Sequence, residues 1–191
     1  LEYFNDGYTY IIDIDLEKFF DQVPQDRLMS LVHKLINDPD TESLIRKYLN
    51  AGVMIEDQYE ETLTGTLQGG NLSPLLSNIM LNELDKELEA RGFHFVRYAD
   101  DCVIAVGSSA AANRVMATVT KWIERKLGLK VNVTKTKVTK PSKVKYLGFG
   151  FWKGKDGWKA RPHQDSIKRF ERKLKKLTKR SWSVTMDERI K

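Results

Sequence analysis

The chain has 191 residues, 41% apolar and 30% charged, which is enough to bury a core and excludes a disordered chain. Its single cysteine, Cys102, excludes an internal disulfide framework and fits a reducing, cytoplasmic compartment. The net charge of +6 hides a split: residues 1–129 hold 12 Lys/Arg against 21 Asp/Glu, and residues 130–191 hold 20 against 5.

Tyr8–Leu16 is rich in β-formers and predicts a strand. Pro24 breaks the chain, and Leu28, Val32, Leu35 and Ile36 give Gln25–Ile36 helical spacing. Asp40 or Thr41 is the expected cap of a short helix ending near Gly52, and Val53–Thr62 reads as a loop or hairpin. Thr64–Asn71 is loop chemistry with three glycines. Ser73-Pro74 then matches an N-cap and a first helical position, with Leu76, Ile79 or Met80, Leu84 and Leu88 as the buried stripe up to Arg91-Gly92.

Phe93–Val106 predicts two strands about a tight turn at Ala99-Asp100-Asp101. Ser108 or Ser109 should cap a helix that Gly128 closes, followed by a strand at Leu129–Val133. Val144–Trp152 and Trp158–Arg161 predict a hairpin around Asp156-Gly157. A last helix from about Asp165 carries an apolar stripe of Ile167, Phe170, Leu174 and Leu177 among lysines and arginines, and Thr185 with Glu188 fits a further capping box. This order predicts an α+β fold, an antiparallel sheet with helices on one face in a split βαβ-like arrangement, and a second face left for a ligand.

A basic end beside an acidic body points to a polyanion, nucleic acid before membrane. The longest uncharged run, Thr62–Asn82, holds nine Ser, Thr, Asn or Gln, so it would not sit in hydrocarbon. The three histidines have no strained Ser turn near them, and one Cys with scattered His makes a poor zinc set. No Gly-Lys-Ser/Thr follows GTLQGG, so it is not a P-loop.

The carboxylates carry the chemistry. Asp100 and Asp101 sit side by side in a turn between apolar strands, where like charges repel unless a cation is near. Asp13 and Asp15 alternate with Ile12, Ile14 and Leu16, so both point to one face. If the two acidic sites meet, they suit two hard divalent cations ~4 Å apart, a geometry for phosphoryl displacement.

In chain order, IIDIDLEKFFDQVPQDRLM, GTLQGGNLSPLLSNIMLNELD, FVRYADDCVI, LKVNVTKTKV and KYLGFGF resemble the palm motifs of reverse transcriptases. The resemblance is closest to the bacterial group II intron-encoded reverse transcriptase/maturase family and covers nearly the whole chain. It implies that Asp15, Asp100 and Asp101 hold two Mg²⁺ ions, with Mn²⁺ able to substitute, and that the Leu16 carbonyl reaches a metal; Asp13 is expected to be a bystander. It also implies that Phe20 gates the incoming sugar, that Gln68, Gly69 and Gly70 approach the nucleotide, and that Tyr98 lies near the primer end. Leu67 stands where the family usually has Pro. Lys135 resembles the proton donor to the leaving pyrophosphate, and Tyr146-Leu147-Gly148 the primer grip.

The resemblance further implies a palm over residues 1–161, lacking the fingers region upstream, and the start of a thumb, or domain X, over residues 162–191. Lys168, Arg169, Arg172, Lys173 and Lys176 would then contact phosphates. The implied partners are template RNA, a DNA primer, deoxynucleoside triphosphates and group II intron RNA. Two alternatives stay open: a retron or diversity-generating reverse transcriptase, and an RNA-binding splicing cofactor that is inactive as a fragment. Without fingers, little polymerase activity is expected.

Overall fold

Alternation along YIIDIDL buries Ile12 and Ile14 and leaves Asp13 and Asp15 half-exposed on the other face. The computed structural model describes residues 1–55, 58–60, 62, 64–67 and 69–179. In chain order its elements are α1 (Glu2–Asn5), β1 (Tyr10–Ile14), α2 (Phe19–Gln22), α3 (Gln25–Ile36), α4 (Pro39–Leu49), β2 (Val53–Ile55) and β3 (Gln58–Glu60). There follow α5 (Ser73–Ala90), β4 (His94–Tyr98), β5 (Asp101–Val106), α6 (Ser109–Trp122), β6 (Lys137–Thr139), β7 (Lys145–Tyr146), β8 (Phe149–Gly154), β9 (Gly157–Pro162) and α7 (Gln164–Leu177). The chain forms two compact units, one of Gly7–Thr139 and one of Leu1–Asp6 with the residues from Lys140 onward. The expected palm boundary after residue 161 falls inside the second of these units.

In the larger unit the sheet order is β4-β5-β1-β6, and its paired strands run antiparallel. This is the strand order of the split βαβ arrangement, with α3, α5 and α6 packed on one face. The core joins Ile12, Ile14, Cys102 and Ile104 of the sheet to Leu28 and Val32 of α3, Leu76, Met80, Leu84 and Leu88 of α5, and Val119 of α6. The expected α5 stripe is therefore the buried one. The opposite sheet face is not uniformly open. Val96 and Tyr98 are 46% and 65% exposed, but Ile11 and Ala105 on the same face are buried.

Several local expectations need correction. Asp38, not Asp40 or Thr41, caps α4, because its carboxylate accepts from the Thr41 N–H at 2.9 Å and Pro39 takes the first turn. Ser73 is already helical; its hydroxyl donates to the Leu67 carbonyl at 2.5 Å and so serves the preceding loop. On α3, Leu35 and Ile36 are exposed at 66% and 43%, since that end outruns the core, and Met29 takes the buried place. α6 continues as a π-helical turn, Ile123–Leu127, whose last carbonyls accept from Arg27 before Gly128 closes it at φ 69°.

Among the described residues no ladder forms over Leu129–Val133 beyond a single Leu16–Val131 bridge, and the fourth strand is β6 instead. Asn132 explains the shift: its side-chain carbonyl accepts from the Thr134 and Lys135 amides, at 3.1 and 3.2 Å, and turns the chain before it can extend. The helices α1 and α2 were not expected.

In the smaller unit β7-β8-β9 form a three-stranded meander, not one hairpin, because Leu147 and Gly148 make an extra two-residue turn with φ 49° and 82°. Phe4 of α1 sets its ring against Phe151 and Trp158, and the Asn5 side-chain carbonyl accepts from the Trp158 N–H at 2.8 Å. On α7 the apolar stripe is exposed, from 37% at Ile167 to 65% at Phe170. Thr185 and Glu188 lie outside the described residues.

Candidate metal and nucleotide site

Strand register brings the acidic groups together. Ile14 pairs with Cys102 and Asp13 with Val103, so Asp15, one residue past β1, comes opposite Asp101 at the start of β5. Directly paired residues of an antiparallel ladder share a face. Asp13, Asp15 and Asp101 thus stand together, away from the core that holds Cys102. Asp15, Asp100 and Asp101 line one cleft of about 260 Å³ with Ile14 and Leu16.

The backbone of Asp15 is anchored from the far side. Its N–H donates to the Thr136 hydroxyl at 3.1 Å, and its carbonyl accepts from the Asn132 N–H at 2.8 Å. The same Asn132 turn presents Lys135, whose Nζ lies 3.6 Å from Asp15 Oδ1. Lys137, paired across the ladder with Asp13, sets its Nζ 3.8 Å from Asp13 Oδ2. Lys135 and Lys137 are exposed, so each pair is water-screened and shapes the local potential more than the stability. Sequence reasoning missed Asn132 and Thr136. The Asn132-x-Thr134 spacing, typical of a side-chain-closed turn, was the available signal for Asn132, and no local pattern marked Thr136.

Electrostatics in the cleft are strained. Burial first, then the charges of Asp13, Asp100 and Asp15, push the Asp101 carboxyl up to about 6. Burial likewise raises Asp13, against the pull of Lys137. Burial and the nearby Asp85 drive the Cys102 thiol up to about 12, so it stays protonated and is no nucleophile. Among the described residues no three His, Cys, Asp or Glu side chains converge closely enough to hold an ion as they stand. The donor set still fits a hard cation in kind: it is all oxygen, it lines one cleft, and its charge is only partly offset.

A pH prediction follows from Asp101. Its folded-state pKa lies above the unfolded value of 3.8, so between roughly pH 4 and 6 the folded chain holds a proton that the unfolded chain has released. The group favours folding below that window, and the contribution fades as pH rises through about 6. Carbon-13 NMR of the Asp101 carboxyl should show a midpoint near 6 that falls when Mg²⁺ is added. An unperturbed midpoint near 4 would contradict the crowded cleft.

The other expected site residues are distributed as follows. Phe20 is half-buried at the start of α2, its ring 5.3 Å from that of Phe19, and is not part of the cleft wall. Its carbonyl accepts from the Thr66 N–H at 2.6 Å, which ties it to the glycine loop. Gln68 lies outside the described residues. Gly69 is exposed at φ 82° with open space where a Cβ would stand. At Gly70 a Cβ would run into the Tyr48 hydroxyl, so that glycine serves internal packing.

Tyr146 ends β7 and Leu147-Gly148 form the β7–β8 turn of the smaller unit, where the Gly148 carbonyl accepts from both the His163 N–H and the Ser166 hydroxyl at 2.9 Å. Lys168, Arg169, Arg172, Lys173 and Lys176 are all exposed on α7.

Comparison with known proteins identifies the family of the chain. The family described as reverse transcriptase (RNA-dependent DNA polymerase) matches residues 4–151. An uncharacterised 91 kDa protein in the cob intron of Schizosaccharomyces pombe is 30% identical over 203 aligned positions, covering 74% of this chain and 25% of that protein. The group II intron-encoded protein LtrA of Lactococcus lactis is 42% identical over 80 positions, 42% of this chain and 13% of its own length. The chain therefore spans a quarter or less of these two curated relatives. The apo telomerase structure of Candida tropicalis superposes with a TM-score of 0.62 at 17% identity, covering 81% of this chain and 35% of that one, which speaks to fold alone.

Proposed function

This chain belongs to the reverse transcriptase family, and from that premise we propose that it is the palm, with the start of a thumb, of a group II intron-encoded protein that copies RNA into DNA. The observation that carries the reading is the ladder register that sets Asp15 opposite Asp101, with Asp100 on the same cleft. Intron-encoded relatives favour this lineage over a retron.

In this reading Asp15, Asp100, Asp101 and the Leu16 carbonyl hold two Mg²⁺ ions, with Mn²⁺ as a substitute. When bound, such ions would supply the charge that activates a primer 3′-hydroxyl and stabilises the leaving pyrophosphate. The chain's own residues do the rest. Asp101 must shed its proton to take part, which the ions' charge favours. Lys135 donates a proton to the leaving oxygen, for which an ammonium beside Asp15 is suited. Phe20, Gln68 and Gly69 position the deoxynucleoside triphosphate, and Tyr146, Leu147 and Gly148 hold the primer. Template or intron RNA is held through phosphates by the basic face of α7. Among the described residues no helix is long and apolar enough to cross a membrane; a cytoplasmic location fits that and the single reduced cysteine.

Two assays test it. Binding of a group II intron RNA, titrated with salt, should weaken with a log–log slope of roughly −3.5 to −4.5 if five phosphates are neutralised; a flat response would exclude the α7 phosphate contacts. Primer extension by the 191-residue chain with Mg²⁺ should be weak or absent. Robust extension would show that these 191 residues suffice for polymerisation.

A further inference from the structure

Arg97 is spent on a different task from the lysines that face the carboxylates. It lies on β4 in register with Cys102, so it points to the helix side, and only 11% of its side chain is exposed. Its Nε donates to Asp85 Oδ1 at 2.7 Å and one terminal nitrogen to Asp85 Oδ2 at 2.5 Å. The other terminal nitrogen donates to Asn78 Oδ1 at 3.0 Å and to the Ala99 carbonyl at 2.7 Å. Asp85 and Asn78 belong to α5.

Ala99 is the first central residue of the turn that carries Asp100 and Asp101. It has φ 54°, a left-handed conformation that normally selects glycine. A guanidinium is planar, so fixing one edge on Asp85 fixes the aim of the other nitrogen at the turn. Asp85 also balances the Arg97 charge, which leaves geometry, not charge, as what this arginine delivers.

We propose that Arg97, braced by Asp85 and Asn78, is a positioning residue that holds the strained turn at Ala99 and thereby aims Asp100 and Asp101 into the cleft. The inference rests on the metal-site reading given above. It makes α5 the fixed wall against which one half of the site is referenced.

The test uses the 191-residue chain, with Mn²⁺ binding followed by electron paramagnetic resonance and turn rigidity by amide hydrogen exchange. Arg97→Lys and Arg97→Met should each bind Mn²⁺ about tenfold more weakly, in the range that supporting residues of a metal site command. Amides of residues 99–101 should exchange faster while those of β1 stay protected. Asn78→Ala, at an exposed helix position, removes one brace without emptying the core and should show the same exchange pattern to a smaller degree.

Wild-type Mn²⁺ affinity and exchange rates in folded Arg97→Lys and Asn78→Ala would overturn the proposal. If Asp15→Asn leaves wild-type Mn²⁺ binding intact, the metal-site reading fails instead, and the exchange arm alone still decides whether Arg97 holds the turn.

Discussion

Asp15→Asn and Asp100→Asn should each lower Mn²⁺ affinity by ~100-fold or more. Neighbours that merely support a metal ligand command roughly 10–100-fold, so a ligand itself stands at or above that range. The two residues approach the cleft from different chain segments, Asp15 past the end of β1 and Asp100 from the β4–β5 turn. Equal sensitivity at both is therefore a statement about register, not about one loop. Asp13→Asn is the contrasting variant. Its carboxylate pairs with Lys137 and is not part of the cleft wall, so its loss should change affinity only a few-fold, through charge. Titration of the free-ion paramagnetic signal reads all three. Binding by Asp100→Asn that matches wild type would remove the turn from the site.

Gly65→Ala should cost about 3 kcal/mol or more of stability, read as the shift in urea midpoint. Gly65 has φ 86°, and a Cβ there would stand 2.5 Å from the Phe20 carbonyl oxygen and 2.8 Å from that of Asp21. Both are backbone atoms, so neither can swing aside. The Gly65 N–H also donates to the Val23 carbonyl at 2.8 Å, which holds the loop against α2. Gly69→Ala is the control. It has a similar φ of 82° but open space around the added methyl, so it should cost only the left-handed penalty of about 1–2 kcal/mol. Equal losses at the two sites would mean that the close approach at Gly65 is not what matters.

What could be read in advance followed from periodicity. IIDID and CVIAV declare their faces by alternation, and the α5 stripe declares itself by helical spacing, so the core and the outward carboxylates were legible. Register was not, because nothing local states that residue 14 lies across from residue 102; only a family likeness supplied that. Side chains that bond to backbone caused the local errors. Asn132 closes a turn inside an alternating stretch, and Ser73 turns back to Leu67 in place of capping. Arg97 left a readable sign. It sits between Val96 and Tyr98 at the inward position of a strand, and a charge there demands partners. The three loop glycines look alike in sequence, and only three-dimensional crowding separates Gly65 and Gly70 from Gly69.

The sheet order has a further consequence. β1 and β5 are the two interior strands, each laddered on both sides, whereas β4 and β6 are the rims. Fraying starts at rims, so warming or mild denaturant should peel β6, and with it Lys137, before it disturbs the Asp13 and Asp101 backbones. Asp13 would then outlast its own counter-charge, and a partly loosened molecule would attract cations more strongly there than the intact one.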